Sequence, residues 1–263
     1  MIGSLISATA HAGPQSGQWY YSVTGGIEST LSGDALNASS GTVPNLMALN
    51  PFLPDTSATV TTNSQSFEDL YDQGLLINAE IGYGLSTNLE VYAMASFNLQ
   101  NGDQRVIGAT TPASTGVSSD VIADFGDLET WRFQVGGRYY FNTGSRFQPF
   151  VSARAGLASI DAVDAIVVAD YSALLEGIDD AGAQVPFFNV PLYEDSTVFT
   201  GGVEAGLAVT VTDDIEVKLS VAAQYTASLD RAAASVDPLA IRNIAEKDSR
   251  WTLPLSAGLT YRF

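Results

Sequence analysis

From Trp19 onward the chain alternates apolar and polar residues with a period of two, the repeat of a β-strand whose two faces meet different surroundings. Eight stretches follow this rule, near 18–29, 74–85, 89–100, 128–141, 148–160, 197–211, 215–227 and 250–263. In the third, Leu89, Val91, Ala93, Ala95, Phe97 and Leu99 oppose Glu90, Tyr92, Ser96 and Asn98; in the seventh, Ile215, Val217, Leu219 and Val221 oppose Glu216, Lys218, Ser220 and Gln224. The connections alternate in length: about 45 residues, then three, about 27, six, about 36, three, and about 21. Long and short connections therefore fall at opposite ends of a strand array, with an even strand count. Every run reaches the 9–11 residues that a tilted strand needs to cross hydrocarbon. The pattern predicts an all-β fold, an eight-stranded antiparallel up-and-down transmembrane β-barrel with long external loops and short periplasmic turns. A hairpin around Ala58 to Phe67 would raise the strand count to ten.

A soluble barrel with its apolar face inward would show the same alternation. The polar faces argue against it, because they are mostly Gly, Ser, Thr, Asn and Gln rather than the long charged groups of a water-facing sheet. Small residues suit the narrow inside of an eight-stranded barrel. Aromatics also gather at the ends of the runs. Trp19, Tyr21, Tyr83, Tyr139, Phe141, Tyr261 and Phe263 lie toward the short turns; Phe97, Phe133, Phe199, Tyr225 and Trp251 lie toward the long loops. Two girdles at the lipid–water boundaries would look like this.

Composition narrows the reading. Charged residues are only 15% of the chain, below the roughly 25% of soluble domains, and no apolar run is long enough for a spanning helix. The formal charge of −18, from 29 acids and 11 Lys and Arg, opposes nucleic-acid binding. Cysteine is absent, which removes disulfides, thiolate metal sites and cysteine nucleophiles. Residues 1–12 end in Ala10-His11-Ala12, a small-x-small pattern expected of a signal-peptide remnant, so that a single barrel domain would occupy 13–263. The location expected on these grounds is the bacterial outer membrane.

The ending Ala257-Gly258-Leu259-Thr260-Tyr261-Arg262-Phe263, with the alternation from Trp19 onward, resembles the small OmpA-like and OmpW-like outer-membrane barrels, a porin-family group that includes opacity-type surface proteins. The resemblance implies that Tyr261 and Phe263 form an assembly signal read by the barrel-assembly machinery. It also implies outer-membrane lipid and lipopolysaccharide as partners. For OmpW-like members it implies passage of small hydrophobic compounds.

Candidate chemistry is sparse. The one histidine, His11, lies in the leader, so serine–histidine and histidine–metal chemistry has no donor in the mature chain, and neither enzyme activity nor a cofactor or metal is expected. The inward faces carry Glu28, Glu80, Glu90, Glu204 and Glu216 with Arg132, Arg138, Arg154, Lys218, Arg250 and Arg262. Such groups must pair. The pairing predicts either a rigid plug or a gate that opens a narrow channel for small solutes, with Glu80, Arg154 and Glu204 at mid-depth. The remaining acids crowd the loops, where an external partner would meet them. Two loop segments, 44–54 and 162–178, are unusually apolar; the second reads as a short helix, and both as cover for the barrel mouth or as a hydrophobic entrance. The favoured role is structural or surface-interacting.

Overall fold

The computed structural model describes residues 14–48, 55–141, 144–170, 184–232, 235–236, 241–242 and 245–263. Residues 1–12, read as a signal-peptide remnant, and with them His11, lie outside the described residues.

Eight strands close on themselves: β1 Trp19–Ser32, β2 Gly74–Gly84, β3 Leu89–Gln100, β4 Leu128–Tyr140, β5 Phe147–Ile160, β6 Ser196–Thr210, β7 Ile215–Thr226 and β8 Arg250–Arg262. Each pairs antiparallel with its sequence neighbours, and β1 closes onto β8 from Tyr20↔Arg262 to Ser32↔Trp251. Closure matters because hydrocarbon offers no hydrogen bonds to an open edge. Apolar side chains point outward, with Phe133 60% and Val135 67% exposed, and the polar set points inward. This inside-out distribution excludes the soluble alternative.

The interior is crowded, and glycines on adjacent strands make room for its aromatics. Tyr20 lies across from Gly82, Tyr92 from Gly136 and Phe150 from Gly206. A Cβ on Gly82 would sit 2.3 Å from the Tyr20 ring, and one on Gly206 would sit 2.4 Å from that of Phe150. These cross-strand pairs are a packing device for filling the lumen.

The long connections are largely strands rather than loops. Those after β1, β3 and β5 rise as three hairpins that join in one six-stranded sheet, ordered Gln184–Tyr193, Val163–Asp170, Ser119–Phe125, Gln104–Pro112, Ala58–Thr62, Ser39–Val43. The sheet extends from the outer ends of the barrel strands that its hairpins connect. Residues from the connection after β7 bridge to the edge of this sheet at Tyr193↔Arg231 and to the separate two-stranded ladder Asp34–Leu36/Gln65–Ser66 at Leu36↔Ala245. Here the sidedness inverts: Val60, Ile107, Ala123, Phe125, Val167 and Leu192 fill the inside, while Thr59, Thr61, Asp120, Asp124 and Asp164 face out. Water, not lipid, surrounds this part, so burial of apolar groups stabilises it in the ordinary way, by about 1.5–3 kcal/mol for each large side chain fully buried.

Two sequence expectations change. Ala58–Thr62 pairs with Ser39–Val43 and Gln104–Pro112 in the cap, so the barrel has eight strands and not ten. Val163–Asp170, read as the start of a helix, is a strand whose Val163, Ala165, Val167 and Ala169 are buried. Its near-continuous apolar run is ambiguous between the two structures, and pairing with Ser119–Phe125 and Gln184–Tyr193 decides it. Positions 171–178 lie outside the described residues. Of 44–54, Leu46 enters the cap core and Met47 is exposed, and 49–54 lie outside the described residues.

One short helix, α1 Phe67–Leu70, sits at the junction of cap and barrel. Ser66 and Asp69 form a capping box: the Asp69 N–H donates to Ser66 Oγ at 3.2 Å and the Ser66 N–H to Asp69 Oδ2 at 3.0 Å. These bonds turn Phe67 and Leu70 into the core.

Candidate functional site

Inward positions on β1–β8 bring the predicted lumen charges together at two levels. Near the short-turn end the hub is Arg138 of β4. Its guanidinium donates to Glu80 at 2.8 and 2.7 Å, to Glu90 at 3.3 Å and to the Tyr20 hydroxyl at 3.1 Å, with Glu204 at 3.9 Å. Arg262 of β8 donates to Glu90 at 2.6 Å and to both Glu216 oxygens at 2.9 and 3.0 Å. Lys218 reaches Glu80 at 3.1 Å, and Arg154 lies 3.6 Å from Glu204 while donating to Gln224 at 3.1 Å. Four acids and four bases thus neutralise one another. Aromatic faces line the cations: Arg138 stands 4.7 Å from the Tyr92 ring and 5.1 Å from Phe150, and Lys218 and Arg262 each stand 5.2 Å from Tyr20.

Glu80, Arg154 and Glu204, placed at similar depth by strand counting, border one space but do not form a single paired trio. Glu80 belongs to Arg138 and Lys218, and only Glu204 meets Arg154. Arg138 starts from a lower residue, but its side chain is long enough to climb to Glu80, which a count of Cα positions cannot register.

Toward the cap, Arg132 holds Glu28 through two bonds at 2.7 and 2.5 Å, both residues being fully buried. Arg250 spans the lumen from β8, donates to Thr130 Oγ1 at 3.1 Å, and lies 5.5 Å from the Phe67 ring of α1. Between the levels remains a space of about 20 Å³, bordered by Asn78, Glu80, Arg154, Glu204 and Ser220. That is room for one or two water molecules and no more. Above Arg250 the cap core begins with Phe67, Tyr71, Leu128 and Tyr193. Two barriers of opposite chemistry, ionic below and apolar above, stand in series along the axis.

Outside the lumen the charge is one-sided. Five acids and six bases face the interior; Asp213, Asp214 and Arg146 lie at the short turns; among the described residues the other 18 acids and four bases lie at or beyond the outer strand ends, which therefore carry −14. One aspartate follows or precedes the outer end of every strand: Asp34, Asp72, Asp103, Asp127, Asp161, Asp195, Asp230 and Asp248. Several also accept backbone N–H groups where barrel turns into cap, as Asp195 does from Ala162 at 2.7 Å and Asp248 from Asp34 at 3.1 Å. Among the described residues no cluster of side chains could hold a metal ion.

The expected aromatic girdles are present on the outer surface. Trp19 meets Tyr83 at 5.1 Å and Tyr21 meets Tyr261 at 5.5 Å toward the short turns; Phe97 meets Trp131 at 4.8 Å and Tyr225 meets Trp251 at 5.3 Å toward the cap. Trp131, which the sequence reading left out, shares the outward parity of Phe133. Phe263 is 62% exposed beside Tyr21 and Tyr261.

A closed, even-stranded antiparallel barrel with a polar inside, an apolar outside and girdles at both rims is a transmembrane β-barrel of the bacterial outer-membrane class. No family model matches the chain, and no curated protein does. Among solved structures it is similar to Neisserial surface protein A, at 15% identity over 94% of this chain and 98% of that one, with a TM-score of 0.43. It is also similar to the attachment invasion locus protein Ail of Yersinia pestis (11%, 95% and 100%, 0.39) and to OprG from Pseudomonas aeruginosa (12%, 95% and 98%, 0.40). These are likenesses of architecture.

Proposed function

We propose that this protein is a sealed outer-membrane barrel whose task is to hold a folded, acidic cap at the cell surface for interaction with other molecules. The observation that carries the reading is the coincidence of a filled lumen with a strong negative charge that the described residues place at the external end. Lipopolysaccharide, bridged by divalent cations, and an external partner with a cationic surface both suit this cap. Tyr261 and Phe263 would serve assembly, through the barrel-assembly machinery, and the lumen network would serve rigidity. The reading includes no enzymatic step. The alternatives, a narrow solute channel or OmpW-like passage of small hydrophobic compounds, gain no support from the described part of 162–178, where Val163, Ala165 and Val167 are packed in the cap core.

Cells that lack the protein, complemented with wild type or with Asp120→Asn, Asp124→Asn and Asp164→Asn combined, test the reading. Attachment to surfaces should depend on the carboxylates while uptake of small solutes stays constant. Uptake that follows the protein while attachment ignores it would overturn the proposal.

A further inference from the structure

The two levels of lumen charge do not balance alike. Glu80, Glu90, Glu204 and Glu216 match Arg138, Arg154, Lys218 and Arg262, whereas Glu28 faces both Arg132 and Arg250. The surplus cation is Arg250. It is 2% exposed, lies beneath the apolar cap, and among the described residues has no carboxylate at ion-pair distance. Only its Nη2 has an acceptor, Thr130; its Nε and Nη1 have none. The Phe67 ring stabilises the face of the guanidinium but supplies no lone pair to the N–H groups in its plane.

Directly across the β7–β8 pairing from Arg250 is Thr226, wholly buried, whose hydroxyl also lacks a partner. Arg132 Nε, at the next inward position along β4 from Thr130, lacks one as well. Unused donors therefore collect around a single uncompensated positive charge in a buried, low-dielectric part of the lumen. An isolated buried charge is among the most costly features a fold can carry, and a counter-ion removes that cost and satisfies the donors together. Water would satisfy the donors and leave the charge.

We propose that the upper lumen encloses one small monovalent anion, chloride in ordinary media, held by Arg250 Nε and Nη1 with the Thr226 hydroxyl. A single charge suffices, because the upper level is in excess by one. Smallness follows from burial: Arg250 is 2% exposed and Thr226 wholly buried beneath the cap core, which disfavours a bulky oxyanion. The anion is a structural ion that locks cap to barrel, since Arg250 touches Thr130 of the barrel and Phe67 of α1 at once.

The test refolds the full chain into detergent micelles or lipid with chloride, bromide or gluconate as the only anion, at constant ionic strength, so that slow exchange through a closed barrel does not matter. Chloride and bromide should raise the thermal midpoint above that in gluconate, saturably and by on the order of 3 °C. Crystals grown from bromide-refolded protein should show an anomalous peak within hydrogen-bond distance of Arg250. Arg250→Gln should abolish the anion dependence; if that variant does not fold, Thr226→Val should weaken the dependence severalfold while leaving the barrel intact. Equal midpoints in chloride and gluconate, an unchanged dependence in Arg250→Gln or Thr226→Val, or water without anomalous signal beside Arg250 would each overturn the assignment.

Discussion

Replacing Arg138 with methionine perturbs the lower network at its centre while keeping the apolar stem. The guanidinium makes bonds of 2.8 and 2.7 Å to Glu80, 3.3 Å to Glu90 and 3.1 Å to Tyr20, so its loss touches several buried partners at once. Removing one member of a buried ion pair costs about 3–5 kcal/mol, chiefly because the other is left uncompensated. Here each carboxylate keeps a second cation: Glu80 has Lys218 at 3.1 Å, Glu90 has Arg262 at 2.6 Å and Glu204 has Arg154 at 3.6 Å. The expected loss is therefore at the lower end, about 3 kcal/mol. Adding Glu80→Gln makes acids and bases equal again, three against three, and should recover about 1–2 kcal/mol, a non-additivity that independent sites would not show. Urea unfolding in lipid vesicles, followed by tryptophan fluorescence, measures both, since Trp19, Trp131 and Trp251 all sit on the lipid face. A loss below about 1 kcal/mol, or a double variant no more stable than the single, would refute the view of Arg138 as the hub.

Three further outcomes follow from the same structure. Val203→Arg, mid-strand on the lipid face, should cost about 2–4 kcal/mol by the same unfolding assay, whereas Asp124→Lys on the outward face of the cap should change stability by less than about 0.5 kcal/mol. The Ser66 bonds hold the Asp69 carboxyl below its ordinary value of about 3.9, so the capping box contributes fully above that pH and is lost as pH falls through the lowered value. Hydrogen exchange at α1 should accordingly lose protection below about pH 4, and Asp69→Asn should flatten that dependence. Phe263→Ala should lower the yield of assembled barrel in cells severalfold yet shift the unfolding free energy of refolded protein by less than about 1 kcal/mol, because this ring stands in lipid beside Tyr21 and Tyr261 only; equal losses in both assays would make it a packing residue and not a signal.

The membrane barrel was legible because lipid imposes a strict rule on every other residue, and Leu75, Ile77 and Ile81 obey it as plainly as Glu80 and Asn78 do on the other side. The cap was not, since water surrounds it and its strands are short, so Val163–Asp170 looked as much like a helix as a strand until its neighbours were in place. The membership of the lumen network could be read from parity alone. Its pairing could not: Arg132 meets Glu28, and Arg262 meets Glu90, across the barrel and 104 and 172 residues apart in sequence. Side-chain reach, as with Arg138 and Glu80, adds a vertical displacement that strand counting omits. The coupling of Tyr20, Tyr92 and Phe150 to facing glycines left a faint sequence signal, an inward aromatic opposite an inward glycine, but only the register identifies the pairs.

The central claim, a barrel sealed by an ionic level and an apolar cap in series, is tested most directly by single-channel recording in planar bilayers. Wild type, Arg154→Ala and Arg138→Met should all show no steady conductance, because each variant leaves the cap core from Phe67 to Tyr193 in place. Persistent openings of the wild-type protein would contradict the account.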